Sequence, residues 1–421
     1  MIKHAILTGS VLLFFIAMLS YAQTPHSTPN IQSMFTNAHQ LAKLTGTSGI
    51  MSMACGVAIS GDTIVTTGGQ GVYVFVKPAT GWADMTPTAM LTPSDLSGWG
   101  CSPGSGEPSV AIRGDTVVLG APRTQIGSNQ GQGAAYVFVK PAGGWIDMTE
   151  TAKLTASDGI VGSSLGWSVA INPAGTVIVA GAPAMSFLGG TGPGAAYFFL
   201  KPSTGWSSAT ESGKMTATDG VAGDEFGMSA AIGNRGVAIG SPFTKTACSP
   251  GAWYMFAKPA NELSEKMTQT AKLTTCDAGV GSGFNAEAVA ISGNTVVGGG
   301  LCVAFVFVEP VNGWSDMNPT ATLLDPSSPS WMGASVAISG DRVVSGAFAA
   351  NQDQGLADGF TKPAGGWAGT ISQSVQFLAS DGQPNDYFGT SIGISGSTVV
   401  VGAPVENNWT GAAYVFGPKP Q

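Results

Sequence analysis

Three acidic residues set the first chemical question. Glu107, Glu225 and Glu287 each fall just before a recurring Val-Ala-Ile-type phrase. Two carboxylates facing one another across a glycosidic bond are the minimal machinery of a glycosidase: one donates a proton, the other acts as base or nucleophile. One of the pair must then hold its proton near neutral pH. The alternative role for such acids is that of solvated loop residues. Histidine chemistry is limited by position. His4, His26 and His39 are the three histidines, and all precede the first phrase. The repeated body therefore has no Ser-His-Asp or Cys-His arrangement and no His-based metal site.

A second acidic set is periodic. Asp95, Asp158, Asp219, Asp277 and Asp381 each follow an Ala-Lys-Leu-Thr-type segment by the same offset, and Ser48 and Ser327 occupy that place in the other copies. Recurrence points to a structural duty: a short side chain accepting backbone N–H bonds in a turn. A ring of metal sites is the alternative. Tryptophan divides in the same way. Trp82, Trp145, Trp206, Trp314 and Trp367 share a repeated Gly-Trp position and are assigned to packing. Trp99, Trp331 and Trp409 break the repeat, with Tyr387 in a place matching Trp331, and these four are the ligand-binding candidates. Aromatic rings left on one face can stack on sugars or anchor a protein. Five cysteines are an odd number for an exported chain. The expected pairs are Cys55 with Cys101 and Cys248 with Cys276, with Cys302 competing for Cys276.

The elements that must position these residues are repeats. The phrase Val169-Ala170-Ile171 recurs at Val57, Val110, Ala230, Val289, Val336 and Ile392, at spacings of 53, 59, 61, 59, 47 and 56 residues. Each copy reads as four strands. A short first strand meets a two-residue turn such as Gly61-Asp62 or Gly340-Asp341, suited to type II′. A β-branched second strand ends in Gly-Ala-Pro. A third strand, such as Ala134 to Val139, stops at Lys-Pro, since proline cannot donate to a ladder. A Gly-Trp turn leads to the fourth strand, such as Ala152 to Thr155. Seven such units predict an all-β, seven-bladed β-propeller of four-stranded antiparallel blades. Small first-strand residues belong at the crowded axis, and the aromatic residues further out. The last copy lacks a fourth strand, but Ala42-Lys43-Leu44-Thr45 matches Ala152-Lys153-Leu154-Thr155. The N-terminal strand, about residues 41–46, is expected to close the ring and remove both edges.

Composition limits the function classes. Gly contributes 61 of 421 residues, 10% of residues are charged, and the net charge is −8. Without a basic cluster, phosphate-driven nucleic-acid binding is excluded. Residues 1–22 read as a signal peptide: Lys3, the apolar stretch Val11 to Leu19, and Ser20-Tyr21-Ala22 before Gln23. That stretch is too short for a membrane span. Residues 23–40 read as a flexible lead-in, 41–417 as the propeller and 418–421 as a tail. The expected location is extracellular, with the cell surface or periplasm as variants, and the expected state is a monomer.

These residues resemble the FG-GAP repeat of integrin α-subunit propellers and bacterial secreted proteins. Phe226-Gly227 and Phe388-Gly389 carry the first half of that motif, with Leu165-Gly166 and Met332-Gly333 close to it. Gly120-Ala121-Pro122, Gly181-Ala182-Pro183 and Gly402-Ala403-Pro404 carry the second, with Gly240-Ser241-Pro242 close. The resemblance implies the propeller over residues 41–417. Calcium-binding members carry an acid-rich loop between strands one and two, where this chain has two-residue turns. One carboxylate per turn cannot supply the 6–8 oxygens calcium takes. No cofactor is therefore expected by that route. The leading functional expectation is a binding or adhesion module for an extracellular protein or glycan. A carboxylate-based glycosidase or lyase at the channel mouth and a structural envelope or matrix component are the alternatives.

Overall fold

The computed structural model describes residues 38–47, 52–95, 109–247, 250–257, 267–275, 285–326 and 331–419. Seven antiparallel sheets follow one another along the chain as blades of a propeller. Blade two shows the plan. Its strands Val110–Arg113, Thr116–Ala121, Ala134–Val139 and Ala152–Thr155 pair in sequence order from the axis outward. The β-branched second and third strands are buried on both faces, because each blade is packed between two neighbours. The turns at Gly61, Gly114, Gly293, Gly340 and Gly396 take φ of 58°, 54°, 60°, 59° and 59°, and the residue after each does not, as a type II′ turn requires.

Blade seven closes the ring as expected. Its order is Ala38–Thr45, Ala412–Pro418, Thr398–Ala403, Ser391–Ser395. The closing strand starts at Ala38, inside the segment read as lead-in, and a bulge between Gln40 and Ala42 keeps it in register. Two closing contacts are polar: Lys43 Nζ donates to Asp381 at 2.5 Å and to Glu406 at 2.8 Å.

The four-strand plan omits one feature. The segment before each outer strand reaches back to the preceding blade's outer strand. Ala209–Thr210 pairs in parallel with Leu154 and Thr155, and Gly369–Ser372 with Ala321–Leu324. Single bridges Leu44–Met85, Leu91–Met148 and Leu273–Met317 do the same elsewhere. Outer edges that would present unpaired N–H and C=O groups are thus covered by the next blade. The sequence hid this because the segments are polar and only a few residues long.

The core is a set of wedges between blades. One packs Val137, Leu154, Tyr197 and Phe199 of blades two and three around Leu165. Burying each such side chain contributes about 1.5–3 kcal/mol. The two halves of the Gly motif meet across these boundaries. A Cβ on Gly181 would lie 1.9 Å from the carbonyl oxygen of Gly227 in the next blade, and one on Gly120 equally close to that of Gly166. Gly227 itself has φ of 103°. Each blade's Gly-Ala-Pro glycine is therefore a seat for the next blade's Phe-Gly backbone. Among the described residues no helix is long and apolar enough to cross a membrane.

Candidate binding site at the channel mouth

The inner strands of all seven blades surround a cavity of about 420 Å³. The residue after the Phe-Gly glycine, or after its counterpart, faces this cavity in successive blades: Cys55, Trp167, Met228, Glu287, Ala334 and Thr390. Identical backbone thus presents a different side chain at each step around the ring. A second ring lies three positions earlier. Ser52, Ser164, Glu225, Trp331 and Tyr387 precede the buried Met53, Leu165, Phe226, Met332 and Phe388. All five have positive φ, from 52° to 62°. A non-glycine residue in that region costs roughly 1–2 kcal/mol, and such strain concentrates at functional positions.

Glu225 and Glu287 come together, as the first acid reading requires of a pair. Burial pushes the Glu225 carboxyl up to about 7, with the charge of Glu287 adding to it. Glu225 Oε2 is buried without a hydrogen-bond partner. Burial also raises Glu287, which opens onto the channel but has protein on its other sides. Glu287 lies inside the strand Asn285–Ser292, in the bulge between Asn285 and Ala288, not in the loop before it. Glu107 lies outside the described residues.

The aromatic residues form a second arc. Trp331 is 45% exposed and its ring centroid lies 5.6 Å from Phe348, which lies 6.1 Å from Tyr387. Both interplanar angles are 34°, so three rings form a tilted row. Trp331 and Phe348 line the cavity. The sequence reading missed Phe348, although it stands where other repeats have the proline of Gly-Ala-Pro. Trp409, 47% exposed, ends the turn Glu406–Trp409 in the matching connection of blade seven. Phe187, also exposed, meets Trp167 edge-on at 6.1 Å. Trp99 lies outside the described residues. The repeated Trp82, Trp145, Trp206, Trp314 and Trp367 are buried, as packing residues should be.

The periodic aspartates do more than accept a backbone N–H in their own turns. Asp95 accepts from Tyr136 Oη at 2.7 Å and Lys153 Nζ at 2.5 Å, both in the next blade. Asp158 does so with Tyr197 and Lys214, Asp219 with Tyr254 and Lys272, and Asp381 with Tyr414 and Lys43. In each the ammonium also sits 5.3–5.5 Å from the Tyr ring centroid. These are latches between blades. The reading as turn residues that accept backbone N–H groups covers only part of this, because the Tyr and Lys partners lie 33–58 residues or a whole ring away. Asp277, Ser48 and Ser327 lie outside the described residues. The aspartates of the tight turns are engaged too: Lys77 pairs with Asp62 at 3.3 Å, Lys362 with Asp341 at 3.1 Å, and Lys140 with Asp115.

Cys302 is a free thiol, so it does not compete for Cys276. Cys101, Cys248 and Cys276 lie outside the described residues.

Fold and mouth together define a closed propeller with a symmetric frame and an asymmetric opening, an architecture typical of binding and adhesion modules. Residues 108–138, 148–199, 209–256 and 371–416 match the FG-GAP repeat. With both motif halves in contact across blade boundaries, the chain is an FG-GAP repeat β-propeller. Comparison with the curated proteins gives no match.

Proposed function

We propose that this chain is an extracellular binding module that recognises a glycan or protein through the face holding the channel mouth. The carrying observation is the row Trp331–Phe348–Tyr387 beside Glu225 and Glu287. Every one of these residues departs from the repeat, while the repeated residues serve the frame. Tilted rings offer flat faces to sugar C–H surfaces or to apolar anchors. Neighbouring carboxylates accept hydrogen bonds from hydroxyl or amide groups, which supplies orientation. A closed ring of blades holds these side chains on rigid strands and short loops, which lowers the ordering cost of binding.

The proposal includes export through the N-terminal segment, a monomeric ring, and a Cys55–Cys101 disulfide near the mouth. Cys55 is a disulfide half whose partner lies outside the described residues. The test is a glycan and extracellular-protein array probed with the purified chain, followed by Trp331→Ala and Tyr387→Ala. Binding lost in both variants supports the proposal, and binding indifferent to both refutes it. The coupled carboxylates favour a second reading, glycoside cleavage. Product release from a bound glycan that stops in both Glu225→Gln and Glu287→Gln would establish it.

A further inference from the structure

Blade six breaks the latch pattern. In the regular blades the second, third and outer strands place side by side an apolar residue, a Tyr and a Lys, as with Leu119, Tyr136 and Lys153. The same register in blade six reads Ser345, Asp358 and Gln376. Asp358 and Ser345 are both 0% exposed. The one amide near Asp358, that of Gln376, is turned toward Asp325, so neither Asp358 oxygen has a well-formed hydrogen bond, and Ser345 Oγ has none. Facing them from the end of blade five is Asp325, 3% exposed. Asp325 accepts from Gln373 Nε2 and Gln376 Nε2, each at 2.7 Å. Those amides leave Gln373 Oε1 buried and also unpartnered.

A buried carboxylate left unpaired is among the most destabilising groups a core can hold. The latches on Lys153, Lys214 and Lys272 are neutral, one carboxylate against one ammonium. Here two carboxylates stand where those blades hold one, and Gln376 replaces the lysine. The orphaned atoms are also of one kind. Asp358 Oδ1 and Oδ2 and Gln373 Oε1 only accept, and Ser345 Oγ can accept. An all-oxygen set that includes two carboxylates suits a hard divalent cation. Gln376 is exposed, so the set lies one side chain away from solvent. Among the described residues no three His, Cys, Asp or Glu side chains gather, so the donor set is two carboxylates completed by amide and hydroxyl oxygens.

We propose that the boundary between blades five and six binds one hard divalent cation, of the calcium class, through Asp325, Asp358, Gln373 and Ser345. This site is independent of the channel mouth and lies away from the turn between strands one and two.

The test uses the full chain stripped with chelator, titrated with calcium chloride by calorimetry at pH 8. Magnesium chloride and sodium chloride are run at matched ionic strength. The expected result is one calcium per chain and a raised Tm. Asp358→Asn alone and Asp325→Asn/Asp358→Asn together keep the side-chain shape and remove the charge. Both should abolish the calcium response, and the double variant should melt no lower than the stripped wild type. No calcium binding at pH 8, or binding undiminished in the double variant, overturns the proposal. A pH-dependent Tm indifferent to every cation would assign the pair to a shared proton and overturn it equally.

Discussion

Asp219→Asn is the sharpest probe of the blade latches. The substitution preserves shape and removes one charge. In the wild type Asp219 accepts from Tyr254 Oη at 2.9 Å and Lys272 Nζ at 2.5 Å. A hydrogen bond to a charged group contributes about 1.5–3 kcal/mol. Asp219 is about half exposed, so the ion pair itself adds only ~0–1 kcal/mol. Asparagine still accepts through Oδ1, which retains part of the first contribution. The expected loss is about 1–2 kcal/mol, read as a shifted urea midpoint at pH 7. The pH dependence has a definite sign. Burial pushes the Asp219 carboxyl up, but the hydrogen bonds from Lys272 and Tyr254 outweigh it and hold the carboxyl below its usual value. A depressed carboxyl stabilises the fold above its unfolded pKa, and that contribution disappears as pH falls through the folded value. The gap between wild type and variant should thus be constant from pH 5 to 8 and close under strong acid. A neutral substitution at pH 7, or a gap unchanged below the folded value, would refute the latch.

Three further outcomes follow from the frame and the mouth. Gly181→Ala, which forces a Cβ against the Gly227 carbonyl at 1.9 Å, should destabilise far more than Gly114→Ala, which has open space and loses only its turn preference, about 1 kcal/mol. Comparison of their urea midpoints checks this. Lys43→Met removes the bonds to Asp381 and Glu406 that hold the closing strand, so amides of residues 42–45 should exchange faster than those of blade three. For Glu225 the sign is opposite to Asp219. Its folded-state value of about 7 lies above the unfolded one, so stability is greatest while the group is protonated and declines as pH rises toward about 7. Glu225→Gln should flatten that decline in a Tm series from pH 5 to 8.

The frame was legible because its causes are local. Val-Ala-Ile phrases, Gly-Asp turns and Lys-Pro stops each report on a few neighbouring residues, and seven copies fix their order. The match between Ala42–Thr45 and Ala152–Thr155 was enough to foresee ring closure. The latches were not legible, although all their residues are periodic. The Tyr, Lys and Asp of one latch come from three separate strands or turns, and only the packed blade shows that they converge. The mouth was half legible. Trp331, Tyr387, Glu225 and Glu287 stood out as departures from the repeat. Their convergence, and the insertion of Phe348 between two of the rings, depends on an αL backbone that no composition signal marks. Asp358 carries no signal of its own in the sequence, because Ser345 and Gln376 come beside it only when the strands pair.

The most direct test of a recognition face is affinity for the strongest array ligand, measured on wild type, Trp331→Ala and Val311→Ser. Val311 is fully exposed in a connection between third and outer strands, on the opposite face of the ring. Burying one exposed tryptophan face contributes about 1.5–3 kcal/mol, so Trp331→Ala should weaken binding by roughly tenfold or more, while Val311→Ser leaves it unchanged. Equal affinity for Trp331→Ala and wild type, or a loss confined to Val311→Ser, would contradict a binding site at the channel mouth.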